Sequence, residues 1–179
     1  GSSTATTVQD SLALNTLSAG VKLVDVSGYK GVVSATLGDA LKTTIGTTDY
    51  TTGNTVVKVG NFGIDFTDGA HDGLANQADT VTTFQFTADA AKNAAGDANF
   101  QWHISGFQAI HEGTGSLSNL TVLDLSALGI HGLADIQMSQ AAPGSDVIIH
   151  GNGTHNFEIV LSGVQDITKL DLANFKFAV

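Results

Sequence analysis

Short apolar segments bounded by turn-forming residues recur along the whole 179-residue chain, and no long stretch has helical periodicity. Val21–Ser27 lies between two glycines, and Thr55–Val59 ends at a third. Apolar runs of about four to eight residues between such punctuation are typical of β-strands. The other segments of this kind are 31–37, 84–86, 100–104, 121–125, 135–138, 146–150, 157–161 and 175–177. We therefore predict an all-β fold with many short strands, as a sandwich, a barrel or a β-roll.

A minor helical content is predicted at two places. Residues 88–98 are rich in alanine and are the best helix candidate. Asp39 is placed to cap a short helix that would begin at residues 39–42.

The charged residues are unusual in kind. Fifteen of the 17 acidic residues are Asp, and all seven basic residues are Lys. Asp suits turns and short loops, where its carboxylate can bind a hard cation or accept a hydrogen bond from a backbone amide. A net charge of −10 without any Arg argues against binding to nucleic acid or to an anionic membrane surface. Calcium is the counter-ion that we expect.

Several classes of protein are excluded by what the sequence lacks. It contains no cysteine, so disulfides, thiolate nucleophiles and cysteine zinc sites are impossible. No apolar run approaches the length of a membrane span, and the N-terminus has no basic segment followed by an apolar one. We therefore expect neither a spanning helix nor a cleavable signal peptide.

Four aspartates within fifteen residues form the candidate calcium site: Asp65, Asp68, Asp72 and Asp79. Calcium takes about six to eight oxygen ligands, which closely spaced carboxylates and turn carbonyls can supply. The stretch is not an EF-hand, because the spacing and the closing Glu of that loop are absent. The alternative is a polar surface turn whose aspartates cap the backbone.

Six histidines support a second metal hypothesis. His150 and His155 flank a short turn and could meet across a hairpin, where further histidines would complete a zinc or haem-iron site. The others are His71, His103, His111 and His131. The H-E-x-x-H motif of zinc proteases is absent. Scattered turn or edge histidines are therefore the default interpretation.

The sequence contains no recognisable catalytic motif. A G-x-S-x-G nucleophile elbow is absent, and neither Glu112 nor Glu158 stands out as half of a glycosidase pair. We expect no enzyme activity in this chain.

Five motifs follow one another in the second half of the chain. They are DTVTTF (79–84), LDLSALG (123–129), GSDVII (144–149), IVLSGV (159–164) and LANFKF (172–177). Their order and spacing resemble the C-terminal region of RTX (repeats-in-toxin) proteins. The glycine-rich nonapeptide repeat of that family, G-G-x-G-x-D-x-U-x, is absent, and residues before 60 match none of its motifs.

The resemblance implies a parallel β-roll or β-sandwich that type I secretion machinery exports without an N-terminal signal. It implies folding outside the cell on contact with calcium, and an export signal in the last strands. Asp124 and Asp146 match family positions at strand turns, where each is either a turn cap or a further calcium ligand. We predict a Thr/Gly-rich β region at 4–75 and an RTX-type C-terminal β domain at 76–179.

The function that we predict is a non-catalytic, calcium-stabilised extracellular module that ends a type I secreted protein. It would serve export and extracellular folding, with surface assembly, adhesion or binding to a cell-surface polysaccharide as further roles. One alternative is the accessory C-terminal domain of a secreted hydrolase or epimerase. Another is an extracellular protein that captures haem or metal through its histidines.

Overall fold

The strands of the molecule are short and numerous. The structure, a computed structural model, describes residues 11–17, 21–29, 32–37, 41–45, 48–52, 54–60, 64–68, 81–87, 102–107, 109 and 120–179. The strands in these ranges are β1 (Ser11–Thr16), β2 (Leu23–Asp25), β3 (Val32–Leu37), β4 (Leu41–Ile45), β5 (Thr48–Thr52), β6 (Asn54–Val59), β7 (Ile64–Asp68), β8 (Val81–Phe86), β9 (Trp102–Ser105), β10 (Leu120–Asp124), β11 (Ile136–Gln140), β12 (Val147–Gly151), β13 (Glu158–Ser162) and β14 (Phe175–Lys176).

Two sheets form the body of the fold, and the chain alternates between them. The seven-stranded sheet has the order β1-β3-β7-β9-β13-β12-β11, and the five-stranded sheet has the order β14-β10-β8-β6-β2. Neighbours from β1 to β13 in the first sheet, and all neighbours in the second, are parallel. Each turn of the chain therefore adds one strand to each sheet, which is the architecture of a parallel β-roll.

The core lies between the two sheets and is built of in-register columns. In the seven-stranded sheet, Ile64, Trp102 and Ile159 are register partners on adjacent strands, and all three are buried. Phe84 and Leu123 form the matching column in the five-stranded sheet. Residues between these core positions face outward. The period of two along each strand therefore decides whether a side chain points into the core or away from it.

The C-terminal end of the roll is closed by antiparallel and irregular structure. β11 and β12 form an antiparallel hairpin that extends the seven-stranded sheet beyond β13. On the other sheet, β14 pairs with β10 for two residues. Buried Asn174 fixes this strand, because its Nδ2 donates to the Thr121 carbonyl oxygen at 2.9 Å and its Oδ1 accepts from the Asp171 N–H at 3.1 Å.

Most sequence-based expectations about the fold are confirmed. The described residues are all-β, with short 3₁₀ turns rather than α-helices, and the apolar segments found in the sequence lie on strands. The helix start at residues 39–42 is wrong, because Leu41 and Lys42 pair with Thr52 and Thr51 in the β4–β5 hairpin. The helix at 88–98 lies outside the described residues.

The acidic stretch that begins at Asp65 starts inside a strand. β7 pairs with β3 on one side and β9 on the other, because Ile64 and Phe66 alternate into the core. β6 and β7, from the first predicted region, pair with β8 and β9 from the second. The division at residue 75 stays a prediction about folding units, although both regions contribute strands to both sheets.

Candidate calcium-binding positions and the charged row

Four of the six predicted calcium ligands lie in the described residues, at three separate places in the fold. Asp65 and Asp68 are backbone positions of β7, where Asp65 is the register partner of His103. Asp72 and Asp79 lie outside the described residues. Asp124 ends β10, and Asp146 immediately precedes β12. Calcium coordination by these residues stays a prediction.

Asp124 is held by hydrogen bonds on both carboxylate oxygens. Its Oδ1 accepts from the Ser126 N–H at 3.2 Å and from the Ser126 hydroxyl at 2.5 Å. Its Oδ2 accepts from the Lys176 ammonium at 2.8 Å. The residue is only 1% exposed, whereas the Lys176 side chain is 62% exposed. Asp124 therefore both caps the turn after β10 and anchors the last strand.

Burial and hydrogen bonding act in opposite directions on the Asp124 carboxyl. Burial alone would raise its pKa, because the charged form loses hydration. The hydrogen bonds from Lys176 and Ser126 outweigh burial and hold the pKa below its ordinary value. The carboxylate is therefore charged at neutral pH in spite of its burial.

The same Asp-x-Ser/Thr turn occurs at two further places that the sequence reasoning did not single out. Asp25 Oδ1 accepts from the Ser27 hydroxyl at 2.6 Å and from its N–H at 3.1 Å. Asp166 Oδ1 accepts from the Thr168 N–H and hydroxyl, both at 2.8 Å. These bonds lower the pKa of both carboxyls. The repeated D-[VLI]-[ST] tripeptide was the available signal.

Five polar residues line up across the five-stranded sheet and are called the charged row below. In spatial order the charged row is Asp25, Lys58, Gln85, Asp124 and Lys176, each the register partner of the next. Neighbouring parallel strands lie about 4.8 Å apart, so the charged row spans the whole width of the sheet. Its formal charges run negative, positive, neutral, negative, positive.

Asp146 belongs to a hydrogen-bonded chain on the outer face of the seven-stranded sheet. Ser162 Oγ donates to Asp146 Oδ1 at 2.6 Å and lies 2.9 Å from His103 Nε2. The Ser162 hydroxyl proton is therefore directed at a carboxylate rather than at the imidazole. That arrangement joins β9 and β13 to the residue before β12, and it lacks the serine-to-histidine donation that activates a nucleophile.

The histidines in the described residues make contacts in different parts of the fold. His150 Nδ1 lies 3.5 Å from Glu158 Oε2 on the neighbouring strand. His155 packs against Gly151, where an added Cβ would lie 2.6 Å from the Cβ of His155. The backbone N–H of His131 donates to Asp135 Oδ2 at 2.8 Å. His71 and His111 lie outside the described residues.

In the part of the chain that the structure describes, no group of three or more His, Cys, Asp or Glu residues could hold a metal ion. The same residues include no helix that is long and apolar enough to cross a membrane.

Comparison with known proteins yields a likeness of fold. Neither a protein-family model nor a curated protein matches the chain. Among solved structures, the chain is similar to the solution structure of the AlgE6R3 subunit from the Azotobacter vinelandii mannuronan C5-epimerase. The TM-score is 0.54 at 17% sequence identity, and the match covers 97% of this chain and 82% of that chain. At this identity the likeness shows the fold alone.

Proposed function

We propose that this chain is a non-catalytic, calcium-stabilised extracellular module that ends a protein exported by type I secretion. It serves export and folding outside the cell, and it takes part in assembly or adhesion at the cell surface. The observation that carries the proposal is that the segments resembling RTX motifs lie on neighbouring strands toward the C-terminal end of the roll, three in one sheet and two in the other. Motifs that follow one another along the sequence are thus also close together in the fold.

The five motifs occupy adjacent strands. DTVTTF, LDLSALG and LANFKF contribute to β8, β10 and β14, which are consecutive in the five-stranded sheet. GSDVII and IVLSGV contribute to β12 and β13, which are paired in the other sheet. This arrangement supports the resemblance, because it places motifs that follow one another in the sequence on neighbouring strands of the roll.

The proposed mechanism is linkage between calcium and folding. A net charge of −10 opposes compaction, and an ion that binds only the folded state stabilises it by mass action. The stretch from Asp65 to Asp79 is the proposed site, because Asp124 already has hydrogen-bonded partners on both oxygens. At low calcium the chain would stay unfolded and competent for export, and at extracellular calcium it would fold.

Calorimetric calcium titration, with and without chelator, tests this proposal. We expect calcium to raise the melting temperature and chelator to lower it. The Asp72→Asn/Asp79→Asn variant should lose most of this response. Asp166→Asn is the matched control, because that carboxylate is bonded within its own turn and should leave the calcium response intact. Melting that is insensitive to both calcium and chelator would contradict the proposal.

The alternatives have tests of their own. A catalytic motif upstream in the full-length gene would identify an accessory domain of a secreted hydrolase or epimerase. A Soret band during haem titration would identify haem capture, and a clean titration without one would remove that hypothesis.

A further inference from the structure

One asparagine of the chain, Asn152, is followed by a glycine, and none of the other nine asparagines has this neighbour. A side-chain amide before glycine is open to attack by the next backbone nitrogen, because glycine has no Cβ to hinder the approach and its backbone is permissive. The pair lies in the connection between β12 and β13, where Gly153 is exposed and has a φ of 64°. The chain therefore carries its least hindered amide in this connection.

In the folded chain, the Asn152 amide is held through its nitrogen. Asn152 Nδ2 donates to the Ala134 carbonyl oxygen at 2.9 Å and to the Ile136 carbonyl oxygen at 3.2 Å. Only the NH₂ group can donate to two carbonyl acceptors, so these partners fix the orientation of the amide. The Asn152 N–H donates to the Asp135 carbonyl oxygen at 2.8 Å, and the His155 N–H donates to its carbonyl oxygen at 3.2 Å. Residue 152 thus joins the β12–β13 connection to the turn before β11 and to the first residue of β11.

We propose that Asn152 is a site of spontaneous deamidation, that the closed fold suppresses this reaction, and that its product prevents the fold from closing again. In the open chain, the Gly153 N–H gives its proton to hydroxide, and the nitrogen attacks Asn152 Cγ. The new N–Cγ bond replaces the Cγ–Nδ2 bond, and ammonia leaves with a proton taken from water. Water then opens the five-membered succinimide at either carbonyl carbon, which leaves aspartate or isoaspartate at position 152.

The hydrogen bonds of the folded chain protect the amide from this reaction. Nδ2 leaves as ammonia only after both of its bonds, to Ala134 and Ile136, have been released. A reaction that requires local opening proceeds in proportion to the fraction of molecules that are open. That fraction is small in the folded roll and complete in the unfolded chain. The modification therefore accumulates with the time that the chain spends unfolded.

The product does not fit the folded connection. A carboxylate accepts hydrogen bonds and donates none, so at position 152 it directs an oxygen at the carbonyl oxygens of Ala134 and Ile136 in place of two N–H groups. Acceptors that lose their donors in a partly buried place destabilise the fold. Isoaspartate also adds one methylene between the N–H that bonds to Asp135 and the carbonyl that bonds to His155. A chain that has aged while unfolded is therefore unable to restore this part of the roll.

Peptide mapping by mass spectrometry, after incubation at mildly alkaline pH, tests the reaction. We expect the chain in guanidinium chloride to gain one dalton at position 152 at least about tenfold faster than the folded chain at the same pH and temperature. Asn156, which precedes Phe157 in the same connection, is the internal control and should stay unmodified on this time scale. Equal rates in the folded and unfolded chain, or equal rates at the two asparagines, would overturn the inference.

Refolding of the aged chains tests the effect of the product. After the denaturant is removed, a short pulse of protease digests the chains that fail to fold, and mass spectrometry compares position 152 in the surviving and the digested fractions. We expect the modified chains in the digested fraction. Modified chains that survive in the same proportion as unmodified ones would contradict the proposal, whatever the rates of deamidation are.

A pair of variants isolates the carboxylate at position 152 from its charge. Asn152→Asp reproduces one product and should lower the melting temperature by about 5 °C or more, or prevent folding. Thr154→Asp is the matched control, because it adds the same charge at an exposed position of the same connection, and it should melt like the wild type. Equal melting temperatures for the two variants would overturn the inference. The inference requires neither calcium nor export, so its failure and that of the proposed function are distinguishable.

Discussion

The turns at Asp25 and Asp124 share a sequence pattern, a sheet and a row, but their surroundings differ. Each Asp ends a strand of the five-stranded sheet, and each accepts two bonds from the serine two residues later. Asp25 belongs to β2, which lies at the edge of the sheet and leaves the residue exposed. Asp124 lies between β8 and β14 and is buried beneath Lys176.

The difference shows that the local Asp-x-Ser motif sets the geometry of the turn. The residues packed around the turn decide how much its hydrogen bonds contribute to the stability of the fold. At Asp25 the Ser27 hydroxyl is the main cause of the lowered pKa. At Asp124 burial is the largest influence and acts in the opposite direction, so the charge persists only through added partners. Water can replace the hydrogen bonds of the exposed Asp25 carboxylate, whereas the buried Asp124 carboxylate needs its protein donors.

The largest effect is expected from Lys176→Met. This substitution leaves the buried Asp124 carboxylate without its cation while the methionine keeps the aliphatic stem. Breaking one side of a buried pair costs about 3–5 kcal/mol, and the exposure of the Lys176 side chain reduces this to about 2–3 kcal/mol of unfolding free energy. Urea denaturation monitored by circular dichroism measures the loss.

Lys58→Met is the matched control, because Lys58 is the register partner of the exposed Asp25. We expect it to change the unfolding free energy by less than about 0.5 kcal/mol. Equal losses at the two lysines would mean that burial does not distinguish the two turns.

A smaller effect is expected from removing the serine hydroxyls. Ser126→Ala takes one charge-assisted hydrogen bond from a buried carboxylate and should cost about 1.5 kcal/mol. Ser27→Ala removes the equivalent bond from an exposed carboxylate, which water can replace, and should cost less than about 0.5 kcal/mol. Chemical denaturation of the two variants compares them directly, and a larger loss at Ser27 would reverse the ranking.

The strands were predictable wherever apolar residues alternate or run together between glycines. β7 was missed because Asp65 and Asp68 were interpreted for their carboxylates, although Ile64 and Phe66 carry the period of two that builds a strand. β4 was missed because Asp39 favoured a helix cap, whereas cross-strand pairing with β5 decided the conformation. In β7 the alternation of Ile64 and Phe66 was a local signal that the aspartates obscured, and in β4 pairing with the next strand outweighed the helix cap.

The charged row could not be predicted from sequence. Its members are distributed from residue 25 to residue 176, and only the register of four strand pairs aligns them. The Asp-x-Ser tripeptide was visible at both turns, but the sequence does not show which copy is buried. The partner of Asp124 is 52 residues away on the last strand, and that contact decides its role.

The smallest effect is expected in the acid range. A carboxyl whose folded pKa is lowered contributes stability that is present above its unfolded pKa of about 3.9, and it is lost as the pH falls through the folded value. Protonation of Asp124 removes its charge, whereas Lys176→Met leaves a buried charge without a partner. Ser126 can still donate to the neutral carboxyl. The loss of unfolding free energy is therefore smaller than in Lys176→Met. The unfolding free energies of the wild type and Asp124→Asn, measured from pH 7 downward, should begin to converge below about pH 4 and meet only below the lowered folded pKa of Asp124. Asp25→Asn should also weaken the pH dependence, because the hydrogen bonds from Ser27 lower the pKa of Asp25 as well. An Asp124→Asn variant whose unfolding free energy falls with pH as steeply as that of the wild type would show that Asp124 does not contribute to the acid sensitivity.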